Sequence, residues 1–540
     1  MKTPFWLAAA VSLTALWPHL ASAQLQITEV LAMPTPDEDG DNPEKFQDED
    51  GHLSDMIEIY NAGDSDIKLG GYHLTDDKKN LTKWTFPSNQ SVAAGEYKIV
   101  YASAKNKRGL FNAVAHTNFK LSREGDYLAL SSPDGEVLSE FDKLPEMYAN
   151  TSYGPEGHMT STSFGAPNKS ALGIPTHKVD FSISSRTFSG ALVLELSSDN
   201  LPEGARIGYT TNGGEPAVSL FSPPKYYDVT GPITINRTTT IRARIFEDGK
   251  LPGQIKTENY FLVNDELKDW SSNLPVVVVE SFGARYNKTR FSESAIMFLT
   301  PKAGADPASE KRTSIIQDAD IESRMNARQR GSSTGGWPKK SLAMEMWFDD
   351  ANGADRDISP FGMPSDGDWV LSGRYDFDRA LMRNPLAYRL STEMGHWAPR
   401  TQFVEVFMNE DGEEIDAGDY VGVYTFMEKI ELHPDRIDIQ DPTGREDGGF
   451  MVKVDRTTGQ AGTRDSSFSA AGQTFVWIEP EKEFVTTGQN AFLRDHFNDI
   501  RTVMRDDELA EDPEKGYRSM IDIESWIDEY VMRTLTKDPD

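Results

Sequence analysis

The run Arg330-Gly331-Ser332-Ser333-Thr334-Gly335-Gly336-Trp337-Pro338-Lys339-Lys340-Ser341 concentrates the residue types that could do chemistry. Glycines and hydroxyls stand between a guanidinium at the entrance and two ammonium groups at the exit. Small residues let backbone N–H groups turn toward an anion, and the cations add charge, so the run has the makings of a phosphate cradle. The G-x-x-x-x-G-K-[ST] spacing of a Walker loop is absent, and so is the ordinary G-x-G-x-x-G. The same composition also describes a solvated turn between two strands, and spacing alone does not separate the two readings.

Elements able to hold such a turn are legible around it, and from Leu274 onward the pattern is mixed α/β. Lys340 to Phe348 reads as a strand, and Pro275-Val276-Val277-Val278-Val279 as a buried one, since β-branched runs favour sheet. Met382, Leu386, Leu390 and Met394 recur every four residues and predict one helical face. Asp376 or Asp378 would cap its start, Gly395 would suit its end, and Pro385 would kink it. Tyr420 to Ile430 alternates and ends in Glu428-Lys429-Ile430. It is either a central strand or the approach to a nucleotide-binding hinge. Ile521 to Leu535 places Trp526, Tyr530 and Val531 at helical spacing and predicts a core helix.

The N-terminal half reads differently. Met1 to Ala23 has a charged start, a short apolar stretch and a small-x-small end before Gln24, the pattern of a secretory signal peptide. That stretch is short for a membrane anchor and Pro18 breaks it. No later segment is apolar enough to span, so export without a membrane span follows: secreted, cell-surface or periplasmic. Residues 24–145 hold short alternating segments such as Leu25 to Val30, Met56 to Tyr60 and Tyr97 to Tyr101, separated by Gly, Asp and Asn turns. Evenly spaced strands of this kind predict an immunoglobulin-like sandwich. Residues 146–175 are rich in Gly, Pro, Ser and Asn and read as a linker, and a second β unit follows over 176–264.

Composition narrows the chemistry. The 540 residues contain no cysteine, which excludes cysteine catalysis and cysteine metal sites and mildly favours a bacterial source. A formal charge of −31 argues against nucleic acid or anionic membrane as partner. Asp37-Glu38-Asp39-Gly40-Asp41-Asn42 and Asp48-Glu49-Asp50-Gly51 raise calcium as a ligand of the 37–51 loop. The spacing fails the EF-hand pattern, with Asn42 where glycine is needed and Asp48 at the twelfth position, and a solvated acidic loop explains it as well.

Three resemblances organise these observations. The 330–341 run resembles the R-G-N-S-S-x-G-x-P-K-K-S signature of the spore-coat protein H (CotH) family of atypical protein kinases. Asp378 to Asn384, Tyr420 to Ile430 and Gly448-Gly449-Phe450 fall in the family's order, over residues 274–540. Residues 24–145 resemble the lamin-tail domain through Ile57 to Asn61, Gly70 to Asp76, Trp84 to Pro87 and His116 to Leu121. Residues 176–264 resemble the C-terminal β-sandwich of chitobiases and β-hexosaminidases through Tyr209 to Pro216, Gly231 to Ile235 and Thr238 to Ala243.

The architecture implied is two all-β immunoglobulin-like sandwiches followed by a mixed α+β atypical kinase-like domain. The CotH resemblance implies ATP with magnesium or manganese as cofactor and hydroxyls of an extracellular or surface protein as acceptors. Arg330, Lys339 and Lys340 would bind the phosphates. Thr534 to Asp540 resembles the family's L-x-K-N-x-D segment, which places Asp540 as catalytic aspartate and Asp538 where asparagine is usual. The family continues into a Trp-Asp-Phe motif carrying a metal ligand, so the domain as given is expected to be incomplete. The rival expectation is a cell-surface binding or scaffold protein with an inactive kinase-like domain.

Overall fold

The computed structural model describes residues 24–35, 46–49, 51–107, 114–217, 224–303, 310–331, 334–349, 354–375, 378–440, 442, 448–455 and 466–536. The stretch Met1 to Ala23 read as a signal peptide, most of the 37–51 loop and Asp540 therefore lie outside the described residues. The chain is mostly β, with few helices. Among the described residues no helix is long and apolar enough to cross a membrane.

The first unit is a six-stranded and a four-stranded sheet sharing one core. Leu25, Ile27, Ile57 and Ile59 of the first sheet meet Leu74, Trp84, Leu128 and Leu130 of the second, all fully or nearly buried. The Gly/Pro/Ser-rich stretch read as a linker belongs in part to this unit. Tyr153 pairs with Val30, and Tyr153–Gly154 with Gly157–His158, at the sheet edge. The fully buried Glu29 carboxylate accepts hydrogen bonds from Ser152 Oγ (2.5 Å), Ser163 Oγ (2.6 Å) and Ser163 N (2.9 Å). A polar segment is fixed here by bonds to a buried charge, which a search for apolar periodicity does not detect.

The second unit has a five-stranded sheet and two short strand pairs around a separate core containing Phe188, Leu194, Tyr209, Ile241 and Tyr260. Phe261 and Val263 leave that unit to pack on the outside of the third, against Val276, Val278, Met297 and Leu299.

The third unit opens with a closed seven-stranded barrel. Its strands run Val276–Glu280, Ser292–Leu299, Ile321–Arg330, Ser341–Trp347, Asp368–Ser372, Tyr420–Glu428 and Thr401–Asn409 in spatial order. Neighbours are antiparallel except at the seam, where Val276–Glu280 pairs in parallel with Thr401–Asn409. The four-valine run is apolar on both faces for a visible reason. Val277 and Val279 point into the barrel with Met325, Met344, Trp369 and Phe426, whereas Val276 and Val278 point out beneath the second unit. Inside, Trp369 stacks on Phe426 at 5.0 Å, and Phe298 meets the same ring edge-on at 5.3 Å. Burying each such side chain contributes about 1.5–3 kcal/mol.

Helices follow or interrupt this barrel. The one over Arg383–Glu393 places Pro385 in its first turn, where no N–H is required, so the expected kink does not occur. Asp378 does serve its start, accepting from Arg383 N at 3.2 Å, and Gly395 follows its end with φ +94°. The apolar row of this helix is not buried: Met382 and Leu386 are 49% and 46% exposed. Thr487–Val503 begins with a capping box between Thr486 and Gln489. It packs on a three-stranded sheet through stacked Phe475 and Phe497, 4.2 Å apart. The expected helix at the end is present over Ile523–Thr536, but Trp526 and Tyr530 are 64% and 73% exposed, so it is not a core helix among the described residues. Its main described neighbour is the Arg383–Glu393 helix, and Asp528 bonds His396, just past the end of that helix, at 2.8 Å.

Candidate functional site

The glycine-rich run caps one end of the barrel. Arg330 and Ser341 form the last pair between the strands that flank it, so the barrel wall fixes where the run begins and ends. Gly331 turns the chain with φ +98°, a conformation open to glycine at little cost. Gln329 Nε2 then ties the turn down by donating to the Gly335 carbonyl at 2.6 Å. A side chain at Gly335 would collide with the end of Lys288, which lies over the turn. Ser332 and Ser333 lie outside the described residues.

The three predicted cations gather at this end and take different roles. Burial lowers the pKa of Arg330, and the neighbouring Arg328 and Arg374 lower it further, against an opposing interaction with Tyr388. Three half-buried guanidinium groups in one region form an anion site in waiting. Lys339 donates to the Val423 carbonyl at 2.6 Å and lies 4.6 Å from the centre of the Tyr424 ring; burial lowers its pKa. Lys340 binds both oxygens of Glu410, at 2.7 and 2.6 Å. Glu410 is in turn oriented by Tyr286 N at 2.8 Å. Arg374 was missed from sequence because it reaches the run only through the barrel, whereas Arg328 stands two residues ahead of Arg330 on the same strand, where the alternation of a strand could have found it.

Beside this end lies a mainly apolar cavity of about 540 Å³, walled by Met382, Leu386, Tyr388, Pro399 and Phe403. Its size suits a planar ring system. Tyr388 links it to Arg330.

A second group was not foreseen. Carboxylate oxygens of Asp366, Asp368 and Glu431 lie within 4.8 Å of one another, the arrangement of a divalent-cation site. Lys429 already stands between Asp368 (2.7 Å) and Glu431 (2.9 Å). Arg436, 4% exposed, contacts Asp366 at 3.1 Å and also Glu431. Burial alone would lower the Lys429 pKa, but the facing carboxylates reverse this and raise it. Nearby, burial pushes Glu345 up to about 7 and Asp355 up to about 6, with Asp368 reinforcing both. The network sits at the far end of the Asp368–Ser372 strand from Gly373, which approaches the Lys339 and Lys340 carbonyls. Five strand residues place the two ends about 13 Å apart at roughly 3.3 Å per residue. A metal there does not fit a role on phosphates held by the basic turn.

The described carboxylates of the 37–51 loop are already engaged within the protein. Asp48, buried, accepts from Lys105 Nζ at 2.7 Å and Ser54 Oγ at 2.6 Å. Glu49 faces His116 Nε2 at 2.9 Å.

Three stretches match known families. Residues 18–143 match the Lamin Tail Domain, 183–257 the Chitobiase/beta-hexosaminidase C-terminal domain and 327–540 the CotH kinase protein family. The order is the one expected from sequence, and the last match begins at Ala327, just ahead of the basic turn. A comparison with curated proteins gave no match.

Proposed function

We propose that this chain is an exported phosphotransferase of the atypical protein-kinase kind, carrying phosphate from ATP to hydroxyls of an extracellular or surface protein. The observation that carries the reading is the Lys340–Glu410 pair beside the Arg328–Arg330–Arg374 group, within the stretch that matches the CotH kinase protein family. Protein kinases rely on a lysine held in place by a glutamate to orient the nucleotide phosphates. Lys340 has that support, and Arg330 supplies a charge whose desolvation an incoming phosphate would relieve. The apolar cavity at Tyr388 would take the base. Asp540, on the strength of resemblance, would accept the proton of the attacking hydroxyl. Magnesium or manganese, when bound, would supply further neutralisation of the phosphate charge, with no described residue assigned as its ligand. The two N-terminal β units would hold the domain at a surface or partner.

A second reading is favoured by one observation: Lys339 and Lys340 are both engaged within the protein, by Val423 and Glu410. On that reading the barrel is a scaffold and its cations are structural. Calorimetric titration of the full chain with ATP and magnesium, followed by transfer of labelled phosphate to a protein acceptor, separates the two. Binding that Arg330→Ala abolishes supports the phosphotransferase. Absence of nucleotide binding with either metal leaves the scaffold.

A further inference from the structure

A cavity of about 670 Å³ lies between the second β unit and the outer wall of the barrel. Its charge is unlike that of the rest of the chain. In a protein of net charge −31, the lining carries three guanidinium groups, Arg242, Arg290 and Arg324, against one carboxylate, Glu293, which Arg324 already binds. Arg242 and Arg324 are 2% and 4% exposed and form a fixed floor. Both donate to the Asp349 carbonyl, at 2.7 and 3.1 Å, and Arg242 also donates to the Gly213 carbonyl at 3.1 Å. Arg290 stands exposed at the mouth, and its guanidinium has no hydrogen-bond or ion-pair partner among the described residues. The second β unit and the barrel both contribute walls, so the site exists only when the two are docked.

The remaining lining is rich in short polar groups, including Thr239, Thr240, Asn259 and Ser281. These offer donors and acceptors at several heights of the cleft. Two rings line the cleft: Phe291, which lies under the Arg328 guanidinium, and Phe282, which is 46% exposed and held at φ +52°, a backbone conformation that residues other than glycine rarely adopt. Glu280 stabilises that turn by accepting from Phe282 N at 2.7 Å. An exposed aromatic face, many hydroxyl and amide groups and an unpaired arginine make a combined demand on a ligand. It needs C–H faces to lie on a ring, several hydroxyls and an anionic group.

We infer that this cleft binds a saccharide bearing a carboxylate or sulfate, with Arg290 pairing the anionic group and Phe282 stacking on the sugar face. The inference is independent of nucleotide binding, because the cleft lies outside the barrel wall and shares no lining residue with the basic turn.

The test is titration calorimetry on the full chain, without nucleotide, using three probes: trigalacturonate, a sulfated heparin-derived disaccharide and neutral maltotriose. The expected result is saturable binding of at least one acidic probe and binding of maltotriose roughly tenfold or more weaker. Arg290→Ala and Phe282→Ala, both at exposed positions, should each weaken the acidic probe by about tenfold with an unchanged melting temperature. Binding of trigalacturonate alone identifies a carboxylate ligand, and of the heparin disaccharide alone a sulfated one. Equal binding of maltotriose, equal competition by free sulfate, insensitivity to Arg290→Ala, or no binding of either acidic probe would each overturn the inference.

Discussion

Lys340 and Glu410 form a two-pronged ion pair across one end of the barrel, the ammonium 2.7 and 2.6 Å from the two carboxylate oxygens. Both groups are partly exposed, so the pair contributes little to stability and its value lies in fixing where the ammonium points. Lys340→Met and Glu410→Gln should each weaken ATP–magnesium binding by about tenfold or more. The double variant should be no worse than either single one, because the pair acts as a unit. Calorimetry on the three variants checks this, and additive losses would show that the two residues act separately.

Arg330 is held where its charge is poorly solvated and where Arg328 and Arg374 repel it. Such a group is retained against stability. Arg330→Met keeps the bulk and removes the charge. It should leave the melting temperature unchanged or raise it by roughly 2–4 °C for about 1 kcal/mol, while nucleotide affinity falls. A thermal melt paired with a binding titration reads both, and a large drop in melting temperature would show that Arg330 is structural.

Glu280 is fully buried, and burial pushes its carboxyl up to about 8, with the Phe282 N–H opposing and Asp419 and Asp411 adding to the rise. A carboxyl whose folded pKa lies above its ordinary value contributes stability that is complete below about pH 4.5 and is lost as the pH rises through about 8. Glu280→Gln removes the charged form. The variant should match the wild type near pH 4.5 and exceed it by on the order of 2–4 kcal/mol near pH 9. Denaturant unfolding at the two pH values checks the difference, and a constant difference would rule out titration as its source.

Lys429 fills the space between Asp368 and Glu431 that a divalent cation would otherwise take. The wild type should show no change in melting temperature on addition of calcium or manganese that depends on these carboxylates. Lys429→Met should lower stability by about 1–2 kcal/mol, since it leaves half-buried carboxylates facing one another with Arg436 as their remaining counter-charge. Millimolar calcium or manganese should restore part of the loss, and Asp368→Asn in the same background should abolish the recovery.

Local elements were legible from local residues. Val276 to Val279 declared a strand apolar on both faces, and the Arg330–Ser341 run declared a turn between two strands. What joined them was not legible. The barrel closes by pairing Val276 with Glu405, and neither residue carries a mark of the other. The arginine group and the Asp366–Asp368–Glu431 network also arise from segments far apart in the chain that the barrel brings together. The segment around Ser152 and Ser163 looked like a linker because its ties are polar and run to Glu29. Glu29→Ala should cost about 2–4 kcal/mol by stranding those donors, and limited proteolysis should then cut between residues 146 and 175.

The parallel seam has a consequence for how the protein is made. Val276–Glu280 leaves the ribosome roughly 130 residues before the strand that completes the barrel beside it. At about 5–20 residues per second, that delay is of the order of 6–26 seconds. During that time a strand apolar on both faces has only part of its cover. The first two β units, whose cores are already complete in sequence, can fold meanwhile, and Phe261 and Val263 then offer an apolar surface ready to shield Val276 and Val278. The second unit thus serves as a nursery wall for the barrel, and a chain lacking it should aggregate during synthesis even if its barrel is sound.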